Sequence, residues 1–326
     1  LNTYVGASAG SGGSGADASN VGVGASALLA ITTGGYNTAV GYQAGDSITS
    51  GNSNVLIGRG TGVTMTEADE MVLIGNDAGA SINHATAADG TVAVGYAALC
   101  ALTLGSGNTA VGYQAGLLTE SGGANVYIGY QAAVATDVDA TANIAIGKSA
   151  FGGTHTGTVC HYNTVIGDNA LAGAMNGVDG AVAIGKSALA VLTTGVATGI
   201  GYQAGLAHTI GTGCTYIGYQ SGIRFGENTN ADGNTFVGHL SGGGGHTTEG
   251  NNTGGDNTAL GYGAFAGGTG TSSSVSADNC VAIGFNALTA TTTGSNNVAI
   301  GYAAGDSITE ATRNNLIGHG AGASLV

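Results

Sequence analysis

The chain has 326 residues, of which 65 are Gly, none is Pro or Trp and only 7% are charged. This composition excludes collagen, which needs Pro and a Gly at every third position, and a hydrophobic content of 43% is too high for a disordered chain. With 5 Lys and Arg against a net charge of −14, the chain lacks a basic surface for nucleic acid, and no apolar run reaches the roughly 20 residues of a membrane span.

A short motif built around a glycine recurs along the whole chain. The string NTAVGYQAG occupies residues 37–45 and recurs unchanged at 108–116. Alignment on the central glycine gives eighteen copies, most often 17 residues apart, at Gly6, Gly24, Gly41, Gly58, Gly75, Gly95, Gly112, Gly129, Gly147, Gly167, Gly185, Gly201, Gly218, Gly238, Gly261, Gly284, Gly301 and Gly318. A fixed short period of this kind is typical of a repeat protein in which each repeat stacks on its neighbours.

The residues before the glycine predict a strand. The residue next to the glycine is always Val, Ile or Leu, and the residue two positions earlier is Thr, Val or Ile in all copies but one. Because strand side chains alternate, these two positions share a face, and we expect that face to point inward. The position between them is often Ala, as at Ala39 and Ala110, so we expect the second strand face to pack on another chain.

Three further positions of the motif have structural interpretations. The central glycine suits a corner with a backbone conformation closed to other residues, and we assign this role to Gly41, Gly58, Gly112, Gly129, Gly185 and Gly301. Three residues later the side chain is always small, which predicts a close approach of another layer. Four residues before the glycine stands Asn in most copies, which predicts a turn or a ladder of stacked amides.

The four cysteines have no metal-binding or redox spacing. Cys214 and Cys280 occupy the position that is usually Asn, and Cys100 and Cys160 lie far from each other and from these two. No C-x-x-C pair occurs, so a zinc or redox motif is not expected. We favour free buried thiols, and disulfides between distant coils are the alternative.

These patterns together predict an all-β, parallel β-solenoid. We expect about 18 coils with a repeat of 17 residues, each coil having two short strands joined at glycine corners, in a single domain that spans residues 1–326. The chain does not begin with Met and is expected to be a portion or processed product of a longer one.

The strings NVAIG (297–301), AVAIGKSA (181–188) and NTAVGYQA (37–44) resemble two kinds of repeat. They are similar to the head repeats of trimeric autotransporter adhesins, and more so to the Gly-Tyr-Gln-Ala-Gly repeats of phage tail-fibre proteins. The resemblance covers essentially the whole chain, although the repeat is longer than in the adhesin heads. It implies a left-handed, trimeric β-roll outside the cell that extends from a surface and binds a host or matrix component.

The position after the glycine is predicted to point outward and is Tyr in eight copies. We select Tyr42, Tyr113, Tyr130, Tyr202 and Tyr219, together with His239 and His246, as candidates for binding a surface glycan or protein receptor. In the alternative interpretation the rings stack coil on coil or fill a subunit interface. The insertions at residues 80–90, 152–162, 223–233, 243–256 and 266–279 are further candidates, because loops on a rigid scaffold often carry recognition.

No motif for catalysis, a cofactor or a metal is present in the sequence, so we expect neither an enzyme nor a cofactor. The predicted function is a non-enzymatic fibre or attachment protein, first of all a trimeric phage tail-fibre segment that contacts copies of itself but neither nucleic acid nor the membrane interior. The alternatives are a bacterial adhesin head and an extracellular filament whose subunits stack end to end. An ice-binding solenoid and a solenoid lyase or hydrolase are weaker alternatives.

Overall fold

The computed structural model of the chain describes residues 1–13, 19–83, 88–135, 139–155, 159–226, 231–243, 252–267 and 275–325. The chain divides into two compact units, Leu1–Tyr162 (unit 1) and Asn163–Val326 (unit 2). In both units the described residues form short strands and turns. The interpretation of residues 1–326 as a single domain stays a prediction.

Every coil contributes one strand, which ends at the residue before its corner glycine. The strands are β1 (Thr3–Val5), β2 (Val21–Val23), β3 (Thr38–Val40), β4 (Val55–Ile57), β5 (Val72–Ile74), β6 (Val92–Val94), β7 (Thr109–Val111), β8 (Val126–Ile128), β9 (Ile144–Ile146), β10 (Thr164–Ile166), β11 (Val182–Ile184), β12 (Ala197–Ile200), β13 (Cys214–Ile217), β14 (Thr235–Val237), β15 (Thr258–Leu260), β16 (Val281–Ile283), β17 (Val298–Ile300) and β18 (Asn315–Ile317). Within each unit consecutive strands pair in parallel, so that Val55 lies beside Val72 and Val281 beside Val298. The predicted all-β parallel solenoid with a repeat of about 17 residues is confirmed.

The second strand predicted for each coil is wrong, because the described residues after the glycine form turns instead. In the coil that contains β3, Gln43 and Gly45 have φ angles of 56° and 59°. The coil that contains β7 repeats these left-handed conformations at Gln114 and Gly116. A left-handed residue does not continue a strand, so the strand of three or four residues is followed by turns, with isolated parallel bridges outside the strands at Thr194–Ile210 and Phe225–Asn252.

The predicted inward strand face is also wrong. In β3, Ala39 is fully buried whereas Val40 is 37% exposed, and in β4 Leu56 is fully buried whereas Ile57 is 39% exposed. The position two residues before the glycine therefore points inward, and the β-branched positions on either side of it point outward. The prediction failed because it assigned the β-branched residues to the core. Both faces of the strand are apolar, and the space available inside the coil decides which of them is buried.

The room inside a coil is small because turn residues pack directly against the inward strand residues. Ala44, three residues after the corner glycine, and Ile48 are both fully buried. A Cβ added at Gly45 would lie 2.6 Å from Leu56 Cδ1 and 2.9 Å from Ile48 Cδ1, so this layer has no space for a further carbon. At the inward position of β12, a Cβ added at Gly199 would lie 3.1 Å from the carbonyl oxygen of Ala204, three residues after its corner glycine, so the predicted close approach at the small residue is confirmed. It explains why Ala is common at the inward strand position.

The asparagines four positions before the glycine form a buried amide ladder, as predicted. They are fully buried or nearly so at Asn20, Asn37, Asn54, Asn108, Asn125, Asn143, Asn163, Asn234, Asn257 and Asn297. The Asn125 Nδ2 donates to Asn108 Oδ1 at 3.0 Å and to the carbonyl of Ala140 at 2.8 Å. The Asn125 Oδ1 in turn accepts the backbone N–H of Asn143 at 2.9 Å. Each amide thus satisfies backbone groups of the neighbouring coil that no strand pairing reaches.

The glycines assigned to corners lie above one another in successive coils. Gly41, Gly58, Gly112, Gly129, Gly185 and Gly301 have φ angles between 129° and 144°. A Cβ on any of these six would overlap the carbonyl oxygen of the corner glycine in the next coil. The backbone conformation and the neighbouring coil therefore both require glycine at this position.

The four cysteines are thiols and not disulfides, as favoured from the sequence. Cys160, Cys214 and Cys280 are buried and Cys100 is half-buried. The Cys214 Sγ donates to the carbonyl of Ala231 at 2.9 Å, which is the kind of bond that the asparagine amide makes elsewhere in the ladder. Burial raises the pKa of both the Cys214 and the Cys280 thiols, so these groups remain protonated donors.

Candidate binding surfaces

The outward side of the strands is the first candidate surface. We call it the strand face and define it as the residues one and three positions before each corner glycine. In unit 1, Val111 is 37% and Ile128 is 38% exposed, and in unit 2 the exposed fraction of Ile217 and of Ile300 is 36%. Side chains of successive strands cover one another's flanks, so an exposure of this size means that the outward tips are open to solvent.

The strand face carries no charge in either unit and is apolar apart from its threonines and Asn315. In all the described strands the residue next to the glycine is Val, Ile or Leu, and the residue two positions earlier is Thr, Val or Ile except at Asn315. Parallel strands with apolar residues on both faces are usually covered on both faces, and a continuous exposed apolar row marks a contact surface. The Ala positions are buried inside the coil, so the prediction that they pack on another chain is wrong. The β-branched positions form the side of the strands that is open to another chain.

Rings at the position after the corner glycine form the second candidate surface, two aromatic columns. The unit 1 column consists of Tyr96, Tyr113 and Tyr130, with centroids 5.1 and 5.2 Å apart and interplanar angles of 12° and 7°. The unit 2 column consists of Tyr202, Tyr219, His239, Tyr262, Phe285, Tyr302 and His319, with successive centroids 4.9 to 5.1 Å apart. The rings thus stack coil on coil, as in the alternative interpretation of the sequence.

Stacking decides which part of the rings a partner can reach. Tyr113 is 43% and Tyr219 is 49% exposed although each lies between two other rings. Their flat faces are covered by the neighbouring rings, so the exposed parts are the ring edges and the phenolic oxygens. A partner of these columns therefore meets a row of edges and hydroxyl groups, and a sugar ring has no free aromatic face to stack on except at the column ends.

The sequence-selected residues divide into three groups. Tyr113 and Tyr130 lie in the unit 1 column, and Tyr202, Tyr219 and His239 lie in the unit 2 column. Tyr42 is exposed but has no aromatic residue at the same position of the adjacent coils, which carry Ala25 and Arg59 there. His246 lies outside the described residues. So do residues 84–87, 156–158, 227–230, 244–251 and 268–274, which belong to the five insertions.

Two features of unit 2 escaped the sequence analysis. The first is Phe285, which belongs to the aromatic column. The glycine alignment could have identified it, because Phe285 occupies the position that is Tyr in other coils. The second feature is a buried polar cluster, in which the Tyr216 hydroxyl lies 3.2 Å from His208 Nδ1. Both residues are fully buried: Tyr216 is at the inward strand position, and His208 is at the position that Ile48 occupies in its own coil.

The imidazole of His208 is held neutral by its surroundings. It is fully buried beside Tyr216 and Phe225, and its Nε2 has no hydrogen-bond partner among the described residues. Burial lowers the pKa of His208, and the backbone at Gly211 and Phe225 and the charge of Asp232 offset this only in part. Burial likewise holds the pKa of the Tyr216 phenol well above its usual value, so both partners are uncharged at neutral pH.

Acidification is expected to destabilise unit 2 through His208. Because the folded-state pKa lies below the unfolded value of about 6.5, the unfolded chain binds a proton that the folded chain excludes, and stability is lost as the pH falls through that value. Thermal unfolding at pH 7.5 and 5.0 should show a lower Tm at pH 5.0, by about 2–4 °C for each kcal/mol lost. His208→Leu should reduce this difference, and the exposed His239→Gln should keep it. Equal pH dependence in all three proteins would contradict the assignment.

Charged residues occupy the position after the corner glycine in some coils outside the aromatic columns. Arg59 occupies the position after a corner glycine and pairs with Asp77 at 3.0 Å, and Lys186 lies 3.9 Å from Asp168. The two cations are largely exposed and the two aspartates partly so, and such pairs add little stability. Across the described ranges, no three His, Cys, Asp or Glu side chains come together in a way that would hold a metal ion. Nor does any helix there have the length and apolar character needed to cross a membrane.

Comparison of the chain with protein-family models, with curated proteins and with solved structures found no match.

Proposed function

We propose that the chain is a non-enzymatic structural fibre segment that associates with copies of itself and mediates attachment outside the cell, as a trimeric phage tail-fibre segment does. The observation that carries this proposal is the strand face, an uncharged and largely apolar surface that is partly or fully exposed in every described strand of both units. The resemblance of the NVAIG and GYQAG strings to fibre and adhesin repeats supports the same conclusion.

Charge favours the strand face over the rest of the surface as the site of self-association. Copies with a net charge of −14 repel one another, and this repulsion is weakest where no charged groups meet. The strand face is the surface that combines this property with exposed Val, Ile and Leu side chains. Covering apolar area contributes about 25 cal/mol per Å², so many weak coil-by-coil contacts add up along the solenoid.

Sedimentation of the wild-type chain across a concentration series tests the proposal. We expect one species of three times the 31.0 kDa of a single chain. Val111 and Ile128 are direct partners on β7 and β8, so a Val111→Lys, Ile128→Glu double variant keeps a favourable cross-strand pair while placing two charges on the strand face. It should sediment as a smaller species, because charges buried in an apolar contact are costly.

The matched control is Leu118→Glu, which charges an apolar side chain that is 52% exposed in a turn and outside the strand face. This variant should assemble as the wild type does. A wild-type chain that is monomeric throughout the series, or a double variant that assembles normally while folded by circular dichroism, would contradict self-association through the strand face. A polydisperse series of much larger species would contradict the discrete trimer and favour the end-to-end filament.

Attachment requires a surface that stays accessible when the strand faces are covered. The aromatic columns fit this role in the proposed fibre, with a surface glycan or protein receptor as the partner and the ring edges and hydroxyl groups as the contacts. Binding of the assembled chain to an array of surface glycans and extracellular proteins should fall in a Tyr219→Ser variant, which interrupts the unit 2 column. It should persist in Tyr36→Ser, whose ring lies outside both columns. If binding persisted in Tyr219→Ser and fell in Tyr36→Ser, the aromatic columns would not be the attachment surface.

A further inference from the structure

Both aromatic columns contain tyrosines that lie directly above one another in consecutive coils. Tyr113 stacks on Tyr96 and on Tyr130, and Tyr202 stacks on Tyr219 at 5.1 Å with an interplanar angle of 15°. Because each pair is nearly parallel and is held by equivalent backbone positions, corresponding ring carbons lie at about the distance that separates the centroids. Between 38% and 50% of each of these five residues is exposed, so the rings have room to rotate towards each other.

Few other side chains of the chain compete for an oxidant. Trp is absent, and the three methionines, Met65, Met71 and Met175, are fully buried. Cys160, Cys214 and Cys280 are buried as well, and burial raises the pKa of the half-buried Cys100 thiol, which keeps it from forming the reactive thiolate. Exposed tyrosines are therefore the main oxidisable groups at the surface of the described residues.

We propose that the stacked pairs Tyr96–Tyr113, Tyr113–Tyr130 and Tyr202–Tyr219 are sites of oxidative cross-linking to dityrosine, driven by a haem peroxidase with hydrogen peroxide or by an equivalent one-electron oxidant. Each phenol of a pair loses one electron and one proton to give a phenoxyl radical. The two radicals couple through the ring carbons ortho to the oxygens, and the two hydrogens on these carbons move to the oxygens and restore both phenols. One peroxide takes up the two electrons and two protons and leaves as two waters.

Such a bond joins one coil to the next across 17 residues and needs no second copy of the chain, so it does not depend on the proposed function. Its position matters for a solenoid, in which each coil is held mainly by its two neighbours and unfolding can begin at any weak coil. A covalent link along the column ties adjacent coils together on the outside, where ring stacking and hydrogen bonds such as that from the Gln131 N–H to the Tyr113 carbonyl are the contacts between coils. Cross-links along the columns would therefore stabilise the folded solenoid against unfolding.

Treatment of the dilute chain with a haem peroxidase and hydrogen peroxide tests this inference. We expect dityrosine fluorescence in a chain that still migrates as a monomer under denaturing conditions, and peptide mass spectrometry should locate the links at the three stacked pairs. Tyr113→Phe keeps the ring stack but removes the shared phenol of unit 1. It should abolish both links there and leave Tyr202–Tyr219 intact, and adding Tyr219→Phe should reduce intrachain dityrosine to background.

Tyr36→Phe is the matched control, since Tyr36 is 70% exposed but lies outside the columns. This variant should form the same amount of intrachain dityrosine as the wild type. Links that persist in the Tyr113→Phe, Tyr219→Phe double variant, links that include Tyr36, or cross-links found only between chains would each overturn the proposal.

Discussion

A Gly112→Ala variant should lose about 3–5 kcal/mol of unfolding free energy, because a strained backbone and an overlap add to each other. The φ angle of Gly112 is 143°, which a residue with a side chain rarely adopts. The added Cβ would also overlap the carbonyl oxygen of Gly129 in the next coil, whose backbone is held by the hydrogen bond from the Gly129 N–H to the Val111 carbonyl at 2.8 Å. Urea unfolding followed by far-ultraviolet circular dichroism measures the loss.

Gly107→Ala separates the two causes. Gly107 also has a left-handed φ, of 68°, but a Cβ added there meets nothing within 4 Å. The expected cost is that of the backbone alone, about 1–2 kcal/mol. If the two alanine variants were equally stable, the overlap with the neighbouring coil would not constrain the corner. The stacking of glycine on glycine would then be a consequence of the fold and not a requirement for it.

Removal of one amide from the asparagine ladder should be the second most damaging change. Asn125→Ala deprives the Ala140 carbonyl and the backbone N–H of Asn143 of the bonds they make to this side chain. Each buried group left without such a bond costs about 1–3 kcal/mol, so we expect a loss of about 2–5 kcal/mol in urea unfolding. Asn125→Asp should be worse, because a carboxylate cannot donate to the Ala140 carbonyl and its charge is buried.

Asn125→Cys is the matched comparison, since the chain itself places Cys214 and Cys280 at this position. Their thiols donate to the carbonyls of Ala231 and Gly294, at 2.9 and 3.3 Å. The cysteine variant should therefore be more stable than the alanine variant, with the aspartate variant least stable of the three. If all three lost less than about 1 kcal/mol, the ladder would be a by-product of stacking and not a source of stability.

Much of the fold could be predicted because a repeat states the same information many times. A single Thr-Ala-Val segment such as residues 38–40 is ambiguous, but eighteen aligned copies identify the strand, the corner and the amide. The inward face could not be read in the same way, since Ala39 and Val40 are both apolar and alternation alone does not say which one meets the core. The narrow interior of the coil determines which face is buried. The width of that interior depends on the turns, and their left-handed residues, such as Gln43, cannot be recognised from the sequence.

The candidate surfaces were only partly predictable for a related reason. The glycine alignment placed the tyrosines in one row, but stacking depends on the spacing of coils and on side-chain orientation, which a sequence does not contain. The pairing of His208 with Tyr216 was hidden because the two residues belong to different positions of the repeat and meet only across the interior of the solenoid. The strand face was missed because its residues were assigned to the core.

The in-register pairing of consecutive strands also makes the number of coils adjustable. Each coil offers its neighbours the same strand register and the same corner, and most coils offer the same amide, so one coil can be taken out and the ends rejoined. Removal of residues 109–125, for example, would connect Asn108 directly to Val126, the first residue of β8. The length of a unit can therefore change in steps of about 4.8 Å, the spacing between strands, and every surface feature beyond the change moves along by one step while its own contacts stay the same.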